Sequence, residues 1–238
     1  MTTGLTYSTY KTQIATLAVV SETDPNFLAI LPQTITYAEN RIYRDLDLLS
    51  TVTPNTSYSL SAGNRNLTVP ASTFVTIQEV NVILPAGVSD PEQGTRSALL
   101  PVTKEYLNTI YTSLSGASVP QYFAMIDQSN MIVGPWPDNN YTVEIVGTIR
   151  PASLSSGNTE TFVSLYLPDL MIMASMIYVS GYQRNFGRQS DDPAMAQSYE
   201  SQYQALLKGA IVEEYRKKFE SGGWTSMSPA VVSTPSRG

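Results

Sequence analysis

Apolar residues recur at helical spacing at both ends of the chain and alternate in its middle. Tyr7, Tyr10, Ile14 and Leu17 repeat every three or four positions, which predicts an amphipathic helix over about residues 6–20. Asp24-Pro25 then supplies an N-cap and a first-turn proline. From there Phe27, Ile30, Leu31, Ile35, Ala38, Ile42 and Leu46 hold the helical period through Asp47, while Glu39, Asn40, Arg41 and Arg44 crowd the later turns. Pro32 lies inside that pattern, so a kink or restart is expected there. Each helix would be marginal alone and must pack on something.

The pattern changes from Thr51 to Pro151, where Val, Ile, Thr and Tyr rise and Pro or Gly interrupts every ten residues or so. Tyr58-Ser59-Leu60 and Leu67-Thr68-Val69 flank Ala62-Gly63-Asn64-Arg65, a hairpin signal. Phe74 to Leu84 reads as a longer strand with one irregularity of register near Glu79. Pro85 to Ser97, with two prolines and two glycines, predicts an exposed loop. Leu100–Leu107 reads as a short helix entered from a Thr cap. Tyr122–Ile126 and Met131–Gly134 predict a hairpin across Asp127-Gln128-Ser129-Asn130, and Tyr141–Ile149 is expected to pair with its second strand. Five or six short antiparallel strands result.

Helical spacing returns after the polar stretch Pro151–Asn158. A helix from Pro168 is expected to bury Leu170, Met173, Ala174, Ile177 and Val179. A last helix runs from Pro193 to about Phe219, with Met195, Tyr199, Tyr203, Leu206 and Ala210 as its stripe and Ile211 and Tyr215 beside it. Its basic end, Arg216-Lys217-Lys218, complements the helix dipole, and Gly222-Gly223 stops it. The fold class is therefore α+β. The expected architecture is an α-helical bundle of two N-terminal and two C-terminal helices (residues 1–50 and 152–223), with a small antiparallel β domain inserted at residues 51–151. Residues 224–238 form an extended C-terminal arm. Thr225–Gly238 carries almost no charge and too little apolar surface to fold alone, yet the arm holds Trp224, Met227, Val231 and Val232, as a docking peptide would.

Composition narrows the chemistry. The 238 residues carry a net charge of −6 and only 14% charged side chains, which argues against a protein that grips nucleic acid through its phosphates. The chain has no cysteine and no histidine, which removes disulfides, thiol nucleophiles, His-dependent triads and most transition-metal sites. No cofactor motif is present. Thr12–Val20 resembles a weak signal-peptide core, but its helical spacing favours an ordinary first helix. Leu170–Val179 is far shorter than the ~20 residues of a membrane span. Asp45, Asp47 and the Asp191-Asp192 pair lack further oxygen ligands at calcium-loop spacing and read as helix-end acids. The one enzymatic reading left is a carboxylate pair among Glu79, Asp127 and Glu144, as in glycoside hydrolysis of a cell wall.

Four stretches, taken in order, carry a family resemblance. They are Ala38-Glu39-Asn40-Arg41-Ile42, Ile132-Val133-Gly134-Pro135-Trp136-Pro137, Leu167-Pro168-Asp169-Leu170 followed by Tyr182, and Tyr199-Glu200-Ser201-Gln202-Tyr203. The chain resembles the head–tail connector, or adaptor, proteins of tailed bacteriophages, above all short-tailed ones of the tail tubular protein A type. The resemblance implies a structural virion protein at the head–tail junction, with no catalytic role. It implies a dodecameric homo-oligomeric ring beneath the portal protein, offering a platform to the tail nozzle or tail tube protein, through which double-stranded DNA passes without specific binding. It also implies that the C-terminal arm holds the portal, giving Trp224, Met227, Pro229, Val231 and Val232 that role. Pro85–Ser97 and Thr112–Val119 are enlarged relative to the family pattern. The alternatives left open are a tail or baseplate module that contacts no portal, and the carboxylate hydrolase.

Overall fold

The computed structural model describes residues 4–184 and 194–221. Among them are six α-helices and two four-stranded sheets, an α+β protein. The chain divides into two compact units, one of Met1–Leu49 with Ala152–Gly238, the other of Ser50–Pro151.

In the helical unit, α1 (Tyr7–Leu17) starts from a reciprocal cap. The Thr9 backbone N–H donates to Thr6 Oγ1, and the Thr6 N–H donates to Thr9 Oγ1. The helix stops three residues short of the expected end. Val19 adopts φ 55°, a left-handed conformation that a β-branched residue rarely takes and that no Gly or Asn announces. In α2 (Pro25–Asp45), Asp24 Oδ1 accepts the N–H groups of Asn26 and Phe27 at 2.8 and 2.9 Å. The helix does not restart at Pro32. That proline sits on the exposed side of the helix. Phe27, Leu31, Ile35, Ala38 and Ile42 point inward.

Three further helices complete this unit: α4 (Phe162–Tyr166), α5 (Pro168–Arg184) and α6 (Ala194–Ser221). The second of these is central and touches α1, α2, α4 and α6. Contact on several sides buries more than one stripe: Leu170, Met171, Ile172, Ala174, Met176 and Val179 are buried, while Met173 and Ile177 are only half-buried. On α6 the buried positions are Tyr203, Leu207, Ala210 and Glu214. The stripe thus centres on Leu207, with Tyr199, Leu206 and Ile211 half-buried against the same core as expected, while Tyr215, expected beside it, is 70% exposed. Pro193 and the side chain of Met195 lie outside the described residues. Full burial of each large aliphatic contributes roughly 1.5–3 kcal/mol, so this shared core is what makes helices of marginal propensity persist.

In the β unit one sheet has the order β1-β8-β3-β4, built from Val52–Leu60, Tyr141–Thr148, Thr76–Leu84 and Thr95–Ala98. The other has the order β2-β7-β6-β5, built from Asn66–Thr68, Asn130–Gly134, Tyr122–Met125 and Leu100–Pro101. The β6–β7 hairpin forms as the pattern predicts. Asp127 Oδ1 accepts the N–H groups of Ser129 and Asn130 at 2.7 and 2.8 Å and so fixes the turn. The irregularity in β3 is a register shift between Ile77 and Glu79 against β8. α3 (Lys104–Ile110) is capped by Thr103, whose Oγ1 accepts the Tyr106 N–H.

Strand partners differ from expectation in three places. β1 and β2 do not form a hairpin; they pair with β8 and β7 in different sheets. The chain turns at Gly63 (φ 71°) and crosses between sheets, so that Leu60 and Leu67 enter one core from opposite sides. β8 does not pair with β7. It lies between β1 and β3, where Tyr141, Val143, Glu144, Ile145 and Gly147 are buried along a nearly continuous run, as suits a central strand. The end of the 85–97 loop is the edge strand β4, and β5 runs parallel to β6, so the unit has eight strands that are not all antiparallel.

Candidate functional site

The Ala38–Ile42 motif sits in the second half of α2 and divides its work by side. Ala38 and Ile42 are fully buried in the helical core. Arg41 reaches toward α6, where its Nη2 meets Glu200 Oε1 at 2.6 Å and its guanidinium lies 4.2 Å from the centre of the Tyr203 ring. Its Nε is 3.6 Å from Asp45 Oδ2, which also accepts the Tyr203 hydroxyl at 2.7 Å. Partial burial would weaken the cation, but the bonds and charge of Glu200 outweigh it and hold the guanidinium firmly protonated. The same contact holds Glu200 below the ordinary carboxylate range. Burial, reinforced by the Asp45 carboxylate, pushes the Tyr203 phenol up. These groups form a fixed polar seam between α2 and α6. Glu39, on the inward side, is 2% exposed and bonds to the segment that returns from the β unit.

At the far end of α6 the basic cluster finds partners rather than an open helix end. Lys217 Nζ pairs with Glu213 and Glu214 at 2.9 and 2.7 Å and lies over the Phe162 ring, while Lys218 pairs with Asp47. Glu214, buried, also accepts the Leu49 N–H at 3.3 Å. Asp45 and Asp47 are thus engaged as hydrogen-bond and ion-pair acceptors. Asp191 and Asp192 lie outside the described residues, as do Trp224, Met227, Pro229, Val231 and Val232. Among the described residues no cluster of acids suits a metal ion.

Two of the three β-unit carboxylates are engaged in structural hydrogen bonds. Glu144 is buried, with Arg96 Nε donating to both its oxygens at 2.9 and 3.0 Å and Asn81 Nδ2 donating at 3.2 Å. Those bonds, Arg96 first, hold its pKa below the ordinary range. Asp127 is likewise lowered, by Asn130 and the Ser129 N–H of its own turn. A glycosidase needs one carboxyl raised to act as acid, and these two are shifted the wrong way. Glu79 is an exposed residue of β3.

What the β unit does present is apolar surface. Leu100, Tyr106, Ile110, Leu114, Met125 and Ile126 are each at least 42% exposed, and the only charges between Leu100 and Ile126 are Lys104 and Glu105, 3.9 Å apart. Tyr106, Tyr122 and Tyr111 pack in a row with ring centres 6.0 and 6.3 Å apart. Several large exposed apolar side chains on one unit are a feature of proteins that bind other proteins. The sequence pattern singled out none of these side chains, because strand and helix periods report the buried side.

A two-unit α+β chain of low charge, with Glu144 and Glu214 tied up in ion pairs and large apolar side chains exposed on its β unit, suits assembly. Residues 5–231 match the family model described as SU10 adaptor protein, nearly the whole chain. The chain belongs to the SU10 adaptor protein family, and is thereby a bacteriophage head–tail adaptor, a structural protein. None of the curated proteins matches it. No helix among the described residues is long and apolar enough to cross a membrane.

Proposed function

We propose that this adaptor forms the ring that joins the portal vertex of a phage head to its tail and extends the DNA channel. The observation that carries the reading is the span of the family match, which covers both units and continues through Val231 into the arm. Copies pack side by side through the flanks of their helices, each Å² of apolar surface buried stabilising the homo-oligomer by roughly 25 cal/mol. The resemblance to tail tubular protein A-like adaptors of short-tailed phages argues for twelve copies. The β unit offers its exposed apolar side chains, Leu100, Ile110 and Met125 among them, to the tail nozzle or tail tube protein. Double-stranded DNA passes through without being gripped, in keeping with a net charge of −6. The arm, through Trp224, Met227, Pro229, Val231 and Val232, docks on the portal protein, and the ring assembles there rather than in solution.

The test is deletion of Thr225–Gly238. Co-sedimentation with portal rings should be lost while far-UV circular dichroism and the unfolding midpoint stay as in the full chain. Undiminished binding by the truncated protein would remove the arm from the account.

A further inference from the structure

A carboxylate buried away from both water and cations is costly, and α2 holds one. Glu39 Oε1 accepts the Leu154 N–H at 3.1 Å and the Thr161 hydroxyl at 3.3 Å. Oε2 is buried with no partner among the described residues. Its neighbour on the helix, Arg41, is engaged by Glu200 and Tyr203. From α1 the titratable group near it is Tyr10, whose hydroxyl is bonded to Ser175 of α5 at 2.7 Å. The returning segment's own acid, Glu160, is exposed.

Both groups bonded to Glu39 belong to one stretch, residues 153–161, close behind the point where the chain re-enters the helical unit at Ala152. That stretch forms a loop with its own ties. Asn158 Nδ2 donates to the Ala152 carbonyl at 2.8 Å, Leu154 is buried in the helical core, and Thr161 Oγ1 caps α4 by accepting the Ser164 N–H at 3.2 Å. Glu39 therefore holds the loop at its start and at the cap that ends it.

We propose that Glu39 is a proton-controlled latch: as the neutral acid it fastens residues 153–161 to α2, and its ionisation loosens that segment while the helical core stays folded. The orphaned Oε2 is where the proton resides, since half a charge left there without water or a donor costs more than a neutral hydroxyl. Burial raises the carboxyl above its ordinary value and outweighs its hydrogen bonds, which act in the opposite direction. A raised folded pKa makes this contribution complete below the unfolded value and lost as pH rises through the folded one.

Amide hydrogen exchange on the full chain, read as protection factors between about pH 5 and pH 8, tests the latch. One ionising group predicts that protection of residues 153–161 falls by up to about tenfold per pH unit above the folded pKa, while peptides from α5 keep theirs. Glu39→Gln keeps the accepting oxygen and cannot ionise, so its protection should not change with pH. The proposal is overturned if wild-type protection is flat, if Glu39→Gln shows the wild-type slope, or if α5 loses protection in parallel. The wild-type series needs no variant, so a poorly folding Gln protein would leave two of these three outcomes readable.

Discussion

Arg41 ties α2 to α6 beside the Asp45–Tyr203 bond, and its removal can be given a size. Its side chain is 20% exposed and that of Glu200 is 39% exposed, so their 2.6 Å pair is screened and contributes only about 0.5–1 kcal/mol. Stacking of the guanidinium 4.2 Å above the Tyr203 ring adds about 0.5–1 kcal/mol. Arg41→Ala should therefore cost about 1–2 kcal/mol, and the Tyr203 hydroxyl keeps its bond to Asp45. At about 2–4 °C per kcal/mol for a domain of this size, the thermal midpoint falls by about 2–8 °C. Arg41→Lys keeps the charge but cannot lie flat on the ring while reaching Glu200, so it should fall in between. A double-mutant cycle of Arg41→Met with Glu200→Gln, followed by chemical denaturation, should return a coupling of about 0.5–1 kcal/mol that shrinks in 1 M salt. An unchanged midpoint for Arg41→Ala, or a coupling indistinguishable from zero at low salt, would refute this reading of the seam.

Other substitutions probe the packing and the buried acid of the β unit. Leu31→Ala empties a position 1% exposed and should lower stability by about 2–5 kcal/mol in urea titrations. Gly147→Ala would set a methyl 2.5 Å from the Thr76 carbonyl oxygen and 2.7 Å from the Phe74 ring, and should destabilise the β unit by about 1–3 kcal/mol. Gly209→Ala, in the exposed interior of α6 with open space around it, should instead stabilise by about 0.5–1 kcal/mol in the same titration. Glu144 is lowered by Arg96, so its contribution is present above the unfolded carboxylate pKa and lost as pH falls through the folded one. Thermal midpoints between about pH 2 and pH 6 should show that loss in the wild type and a flatter acid limb in Glu144→Gln.

Local chemistry made the element ends legible in the sequence. Asp24-Pro25, Thr103 and the Asp127–Asn130 turn act through atoms two or three residues away, and each stands where the pattern puts it. Strand neighbours were not legible, because alternation says which side of a strand is buried and not which strand lies beside it. That is why alternation pairs β8 with β7, and why β1 and β2 read as a hairpin across a glycine turn that in fact joins two sheets. The phase of α6 is ambiguous for a related reason: Leu206 and Leu207 are adjacent and both pack on the helical core, and only the fold shows which is buried the more deeply. Val19 ends α1 in a conformation that residue type does not announce. Glu39 left a trace. It falls inside the stripe formed by Ile35, Ala38 and Ile42, so an acid in that phase was a sign of a buried, bonded carboxyl. The apolar surface of the β unit left none, since its residues resemble core until the fold shows what covers them.

The central claim is that this adaptor assembles on a portal, and the mass of the purified protein measured by light scattering, alone and then with portal rings, tests it most directly. The account predicts a monomer of about 26 kDa alone and a portal complex whose added mass is that of a symmetric ring of copies. A stable oligomer in isolation that leaves the portal peak unchanged would contradict it.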